Sequence, residues 1–188
     1  MPQSKLLSDT NSYLRLAHNI RPLLCVEFGE ARYCLYVLPE TSVEITNSNR
    51  LKHKFHWALE EEHCNERSVT PVVSRKQKRD IEAAYSVIWD HVETEHPGPS
   101  KVDALYLAHG FVLGLPVITD DRDMLSLAHV FDIPTHKTIE LLRIMVDVAH
   151  ITSDKVQAIV AYWHYHKDLP ADIRKDVNRI FSSISVPF

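Results

Sequence analysis

The stretch Lys101–Met124, KVDALYLAHGFVLGLPVITDDRDM, decides how the chain folds. Ser100 is a good N-cap for a largely apolar helix from Lys101 to about Leu113, and Gly114 closes it. Pro116–Thr119 (PVIT) is too short and too apolar to be anything but a buried strand. The acidic turn DDRD then opens another helix through Leu125, Leu127, Ala128 and Val130. Helix, strand, charged turn and helix are the repeating parts of a sheet covered on both faces. Downstream the pattern recurs: Ile133–His136 is strand-like and leads into a helix from Thr138 to about Ala149. Upstream, Lys5–Ser8 is a short apolar strand ending at Asp9, and a helix follows over Thr10–Asn19. Tyr33–Leu38 (YCLYVL) is a buried strand stopped by Pro39, before a helix capped by Thr41 or Ser42. Such alternation predicts an α/β fold in three layers, a mostly parallel central sheet with helices on both faces.

Between these parts, Leu51, Phe55, Ala58 and Leu59 repeat at helical spacing, and a second amphipathic helix carries Ile81, Tyr85, Ile88 and Val92. We expect a helical hairpin over residues 46–96, ended by the HPGPS break at His96–Ser100. The core domain then spans 1–150. Residues 151–188 form a helical C-terminal extension, with helices near Ser153–His166 and Ala171–Ser182, packed on the core or on a partner.

Composition narrows the function. The chain has 188 residues, 45% of them hydrophobic and 24% charged, with four Gly and ten Pro, which excludes disorder and collagen-like repeats. The most apolar run, Ala104–Ile118, is interrupted and too short to cross a bilayer. The opening MPQSKLLSDT holds no apolar run of signal length, so a cytoplasmic protein is expected. Cys25, Cys34 and Cys64 have no CxxC spacing, which fits reduced thiols. A net charge of −4 gives no global attraction to nucleic acid.

The acidic residues are the feature that packing does not use. Asp9 stands where the first strand ends, and in open parallel sheets the sites are built at the carboxyl ends of strands; capping the next helix is its other role. Asp121 and Asp123 follow PVIT and stand at an equivalent strand end. Asp103 lies in the first turn of its helix, where the dipole favours an anion. Glu44 lies near the start of the helix after YCLYVL, and Glu40, four residues earlier, competes with it for that place. Two carboxylates about 4 Å apart repel by roughly 4 kcal/mol at an effective dielectric near 20, so a cleft gathering several of them needs a cation. Oxygen-only donors select Mg²⁺ or Mn²⁺. Such an ion lowers the pKa of bound water and stabilises charge in phosphoryl displacement.

With these residues in view, the sequence resembles the PIN-domain nucleases. The resemblance is carried by SDTNSYLRLA, by the Glu in LPETSVEI, and above all by KVDALYLAHGFVLGLPVITDDRDM with its T-x-D-x-D ending. It covers roughly Lys5–Ala149, with Met124 standing where an aromatic is common. It implies an acidic quartet of Asp9, Glu44, Asp103 and Asp121, with Asp9, Asp103, Asp121 and the accessory Asp123 binding metal. It also implies that Thr10, Asn11 and Thr119 hold the carboxylates in place. The activity implied is a Mg²⁺- or Mn²⁺-dependent endoribonuclease of the toxin type. Its partners would be RNA and an antitoxin that inserts an Arg or a helix near the cleft, and core helices would pair two copies.

Candidate phosphate contacts are Arg50, Lys52 and Lys54 on one hairpin helix and Arg75, Lys76, Lys78 and Arg79 on the other. Residues 46–80 carry an excess of three basic over acidic groups, although a solvated helical face explains the same pattern. Arg122 either holds a phosphate or pairs with Asp121. His53, His56, His63 and Cys64 have a zinc-like composition but match no standard spacing. Trp57, Trp89 and Trp163 read as core residues. His164 and His166 read as a surface or partner contact. Two rivals stand beside the nuclease: a phosphatase of the haloacid dehalogenase type, which needs an Asp where Asn11 is, and a non-catalytic RNA- or protein-binding module.

Overall fold

The computed structural model describes residues 2–181 and 184. Its centre is a four-stranded, wholly parallel sheet of β1 (Ser4–Ser8), β2 (Tyr33–Tyr36), β3 (Val117–Ile118) and β4 (Thr135–His136), in the order β2-β1-β3-β4. Leu6 pairs with Leu35, Leu7 with both Tyr36 and Val117, and Val117 with Thr135. Because side chains alternate across a strand, Leu6, Leu35 and Ile118 feed one apolar layer, while Leu7, Cys34, Tyr36 and Val117 feed the other. The three-layer α/β arrangement is therefore the fold, and β1, with neighbours on both sides, carries its central charge, Asp9, at its exit.

The first layer holds α1 (Thr10–Ala17), Ile45 of α2 (Pro39–Asn47), Leu51 of α3 (Asn49–Lys54) and α8 (Thr138–Asp147). The second holds α5 (Arg75–Thr94), α6 (Lys101–Leu113) and α7 (Arg122–Val130). Ser100 caps α6 through a reciprocal bond with Asp103, and Gly114 ends the helix at φ +63°, a left-handed conformation that favours glycine.

The expected hairpin over residues 46–96 does not form. α3, a 3-10 turn at His56–Leu59 and α4 (Glu61–Arg67) lie on the first layer, whereas α5 lies against α6 on the second. Leu51, Trp57 and Ala58 are buried in the first-layer core, and Arg67, which is 2% exposed, adds polar fastenings. It donates to the Tyr13 hydroxyl at 3.0 Å, the Ala58 carbonyl at 2.7 Å and the Ser42 hydroxyl at 3.2 Å, fastening this segment to α1 and α2. A guanidinium is buried only when so satisfied, and those bonds reinforce the apolar burial that holds the segment on this layer.

Of the two places expected for the C-terminal helices, the core or a partner, they take the core. Val156, Ile159, Val160 and Trp163 of α9 (Ser153–Tyr165), with Ile173 and Val177 of α10 (Ile173–Ile180), belong to the first layer. Ser182, the last residue of the helix expected at 171–182, lies outside the described residues. Trp57 and Trp163 are core residues, and Trp89 is half-buried beneath the Lys101 ammonium. The three cysteines are free. Among the described residues no helix is long and apolar enough to cross a membrane.

Candidate active site

Asp9 leaves β1 as the N-cap of α1. Its Oδ1 accepts from the Ser12 amide at 2.6 Å and its Oδ2 from the Thr119 hydroxyl at 2.6 Å. Asp9 is 4% exposed, and burial raises its pKa to about 6 against the lowering effect of those bonds. Thr119 also accepts the Asp121 amide at 3.1 Å, so one hydroxyl ties the exits of β1 and β3 together. Asp121 repeats the cap at the head of α7, accepting from the Met124 amide at 2.9 Å, but it is exposed.

Glu44, rather than Glu40, faces the cleft. The Thr10 hydroxyl donates to its Oε2, and burial raises its pKa, with Asp103 and Glu40 adding repulsion. Thr10 in turn lies 3.2 Å from the Thr41 hydroxyl, which lies 2.6 Å from the Tyr106 hydroxyl. Asp103 accepts the Ser100 amide at 2.7 Å. Its pKa is raised chiefly by burial, with Asp121 and Asp123 contributing as like charges.

The carboxylates occupy two adjoining depressions at the carboxyl edge of the sheet. Asp9, Glu44, Asp103, Thr10 and Tyr106 line the first, and Asp120, Asp121, Asp123 and Arg15 the second; Asn11 lines both. Asp123 is set by close packing, since a Cβ on Gly98 would stand 2.7 Å from its Oδ2. The expected single pocket is thus a pair. Among the described residues, the only trio of ligating groups within 4.8 Å of one another is Glu60, Glu62 and His63, so Asp9, Glu44, Asp103 and Asp121 sit wider than a shared coordination shell. In that trio Glu62 pairs with Arg21, and His63 has its Nδ1 3.7 Å from Glu66. His53, His56 and Cys64, the other members of the zinc-like set, are outside it.

The basic candidates divide. Arg50 is exposed and Lys52 half-buried on α3; Lys54 pairs with Asp168 at 2.7 Å. Arg75, Lys76, Lys78 and Arg79 ride on α5 in the opposite layer, so the two groups make no common face. Arg122 pairs with Asp172 at 2.7 Å and not with Asp121, because α10 brings Asp172 to it. His166 is exposed, 4.2 Å from the Tyr162 ring.

Sequence reasoning passed over Asp120, Arg15 and Tyr106. Asp120 is buried, accepting from the Thr138 hydroxyl at 2.6 Å and amide at 3.1 Å and pairing with Arg15 at 3.2 Å. The signal for Arg15 was available: it lies four residues after Asn11, on the same helical face. Asp120 and Asp121 are adjacent after a strand, where only the tertiary neighbours separate the structural acid from the open one. Compared with known proteins, the chain matches no family model and no curated sequence.

Proposed function

We propose that the chain is a Mg²⁺- or Mn²⁺-dependent endoribonuclease of the PIN type, acting as a toxin restrained by an antitoxin. The observation that carries this reading is that Asp9, Glu44 and Asp103 face one depression at the carboxyl edge of a parallel sheet, with Asp121 and Asp123 beside it. The donor set is all oxygen, as a hard cation requires. Its wide spacing suits Mg²⁺, which keeps several of its waters. Asp9, Asp103 and Asp121 would hold the ion, with Asp123 accessory to them. Glu44 would help hold it or orient the attacking water. Thr119 and Thr10 fix the carboxylates that they bond. When bound, the ion supplies a water of lowered pKa and a counter-charge for the phosphodiester.

Asn11 offers no carboxylate two residues after Asp9, which argues against the phosphatase. A second copy of the chain has a candidate seat in the apolar groove lined by Val87, Ile88, Phe111 and Phe131, where Val87 is 62% and Phe111 56% exposed.

The test is Asp9→Asn and Asp103→Asn, measured for metal-dependent cleavage of single-stranded RNA and for thermal melting. Cleavage is expected to fall more than about 100-fold, beyond the loss typical of a residue that only supports a ligand. Unchanged cleavage with a native melt overturns the assignment. Turnover of p-nitrophenyl phosphate without RNA cleavage favours the phosphatase, and RNA retention without cleavage the binding module.

A further inference from the structure

We propose that the depression between α1, the 3-10 turn and the end of α9 receives an unstacked base of single-stranded RNA, beside the strand-end carboxylates. This rests on the endoribonuclease reading for its biological substrate, though the binding itself does not require cleavage.

Three separate parts of the chain build this depression, of about 450 Å³, within the usual range of small-ligand sites. His18 comes from the end of α1, Phe55, His56 and Trp57 from the segment after α3, and Tyr162 and His166 from the end of α9. Their rings run on from one another. His18 stacks on Tyr162 with centroids 5.0 Å apart and planes inclined by 26°, and its other neighbour is Trp57 at 5.3 Å. Tyr162 meets His166 at 4.2 Å. His56 and His166 are exposed, and His18 is exposed in part although Tyr162 and Trp57 flank its ring, so this group of rings reaches solvent instead of being consumed by the core. Burial together with the neighbouring histidines lowers the pKa of His18, which leaves a neutral ring suited to stacking on a base.

The charges around the rings cancel in pairs. Lys54 pairs with Asp168 at 2.7 Å, and Arg15 pairs with Asp120 at 3.2 Å while its Nε also donates to the Asp168 carbonyl. A closed set of ion pairs is a poor seat for a free phosphate. It presents fixed donors and acceptors, with Glu60, to the edge of a planar base. Base stacking on aromatic rings is how single strands are held without regard to sequence.

Continuity with the acidic cleft argues for a polymer. Arg15 lines both this depression and the one holding Asp121 and Asp123, and Asn11 links that one to the depression of Asp9, Glu44 and Asp103. Each therefore adjoins the next, with Arg15 and Asn11 at the two junctions, so that successive nucleotides of one strand can reach them in turn.

The experiment uses the full chain carrying Asp9→Asn, in EDTA, with a fluorescein-labelled single-stranded RNA read by anisotropy. His166→Ala and Tyr162→Leu are each expected to weaken binding about tenfold, within the range measured for removing one base-stacking ring, while Tyr162→Phe binds as the parent does. Adenosine monophosphate is expected to quench tryptophan fluorescence, less so in Trp57→Phe, and a duplex of the same sequence to compete at least tenfold more weakly. Binding within twofold of the parent for His166→Ala, a side chain too exposed to threaten folding, overturns the proposal. So does equal competition by the duplex, or the absence of RNA binding in EDTA. Because the readout is binding without metal, it survives a failure of the nuclease assignment, and abolished cleavage in Asp103→Asn does not rescue it.

Discussion

Asp9 and Asp121 are the same local device in two settings. Each follows a strand at the same edge of the sheet, each caps the next helix by accepting an amide three residues on, and each touches the Thr119 hydroxyl group, Asp9 through its side chain and Asp121 through its amide. Yet Asp9 is buried and ionises only near pH 6, while Asp121 is open to water. The contrast teaches that strand-end position makes a carboxylate available, whereas the neighbouring layers decide how much it costs to charge it. β1 lies inside the sheet with Thr119 and α1 closing over its end; Asp121 lies one residue farther out, after Asp120 has taken the buried place.

The largest separation between the two is expected in stability against pH. The folded chain holds the Asp9 proton more tightly than the unfolded chain, whose pKa is near 3.8. Its contribution is therefore fully present below about pH 3.8 and is lost as pH rises through about 6. At 1.36 kcal/mol per unit, the loss approaches about 3 kcal/mol at neutral pH. Asp9→Asn keeps a capping acceptor without the charge, so its stability relative to the parent should be level near pH 3 and higher above pH 6, by up to that amount. Chemical denaturation at both pH values checks this, and a parallel shift at the two would break the comparison. Next in size, Thr119→Val removes the hydroxyl shared by the two exits; under the proposed nuclease function cleavage should fall about 10- to 100-fold, the loss typical of a group that orients metal ligands, and a Mn²⁺ titration of activity should move to higher concentration. Smallest of all, Asp121→Asn should leave stability within about 0.5 kcal/mol of the parent, since Asn and Asp cap equally well and the group is solvated. Under the proposed nuclease function its cleavage, in contrast, should fall with that of Asp9→Asn, which would sharpen the division between shared use and unequal burial.

The first three strands were legible in the sequence because each holds a short apolar run before a clear stop, at Asp9, Pro39 and the DDRD turn; the polar pair of β4, Thr135–His136, followed from its place in the alternation. The alternation that splits Leu6 from Leu7 follows from that. Asp9 and Asp121 were legible by the same logic, being charges placed where strands end, and Asp103 as an acid in the first turn of its helix. What was hidden depends on partners far away in the chain. Arg67 reads as one more surface base until Tyr13, 54 residues earlier, is placed beside it. Asp120 cannot be told from Asp121 until Arg15 and Thr138 are seen around it. The aromatic depression draws on α1, residues 55–57 and α9, none of which hints at the others through local periodicity.

That last assembly has a consequence for synthesis. As the polypeptide leaves the ribosome, the acidic exits and all four strands have emerged by His136, but Tyr162, His166 and Asp168 have not. A nascent molecule therefore acquires its negative groups before the last part of its aromatic wall, and the depression beside α1 stays incomplete until residue 168 has left the ribosomal tunnel.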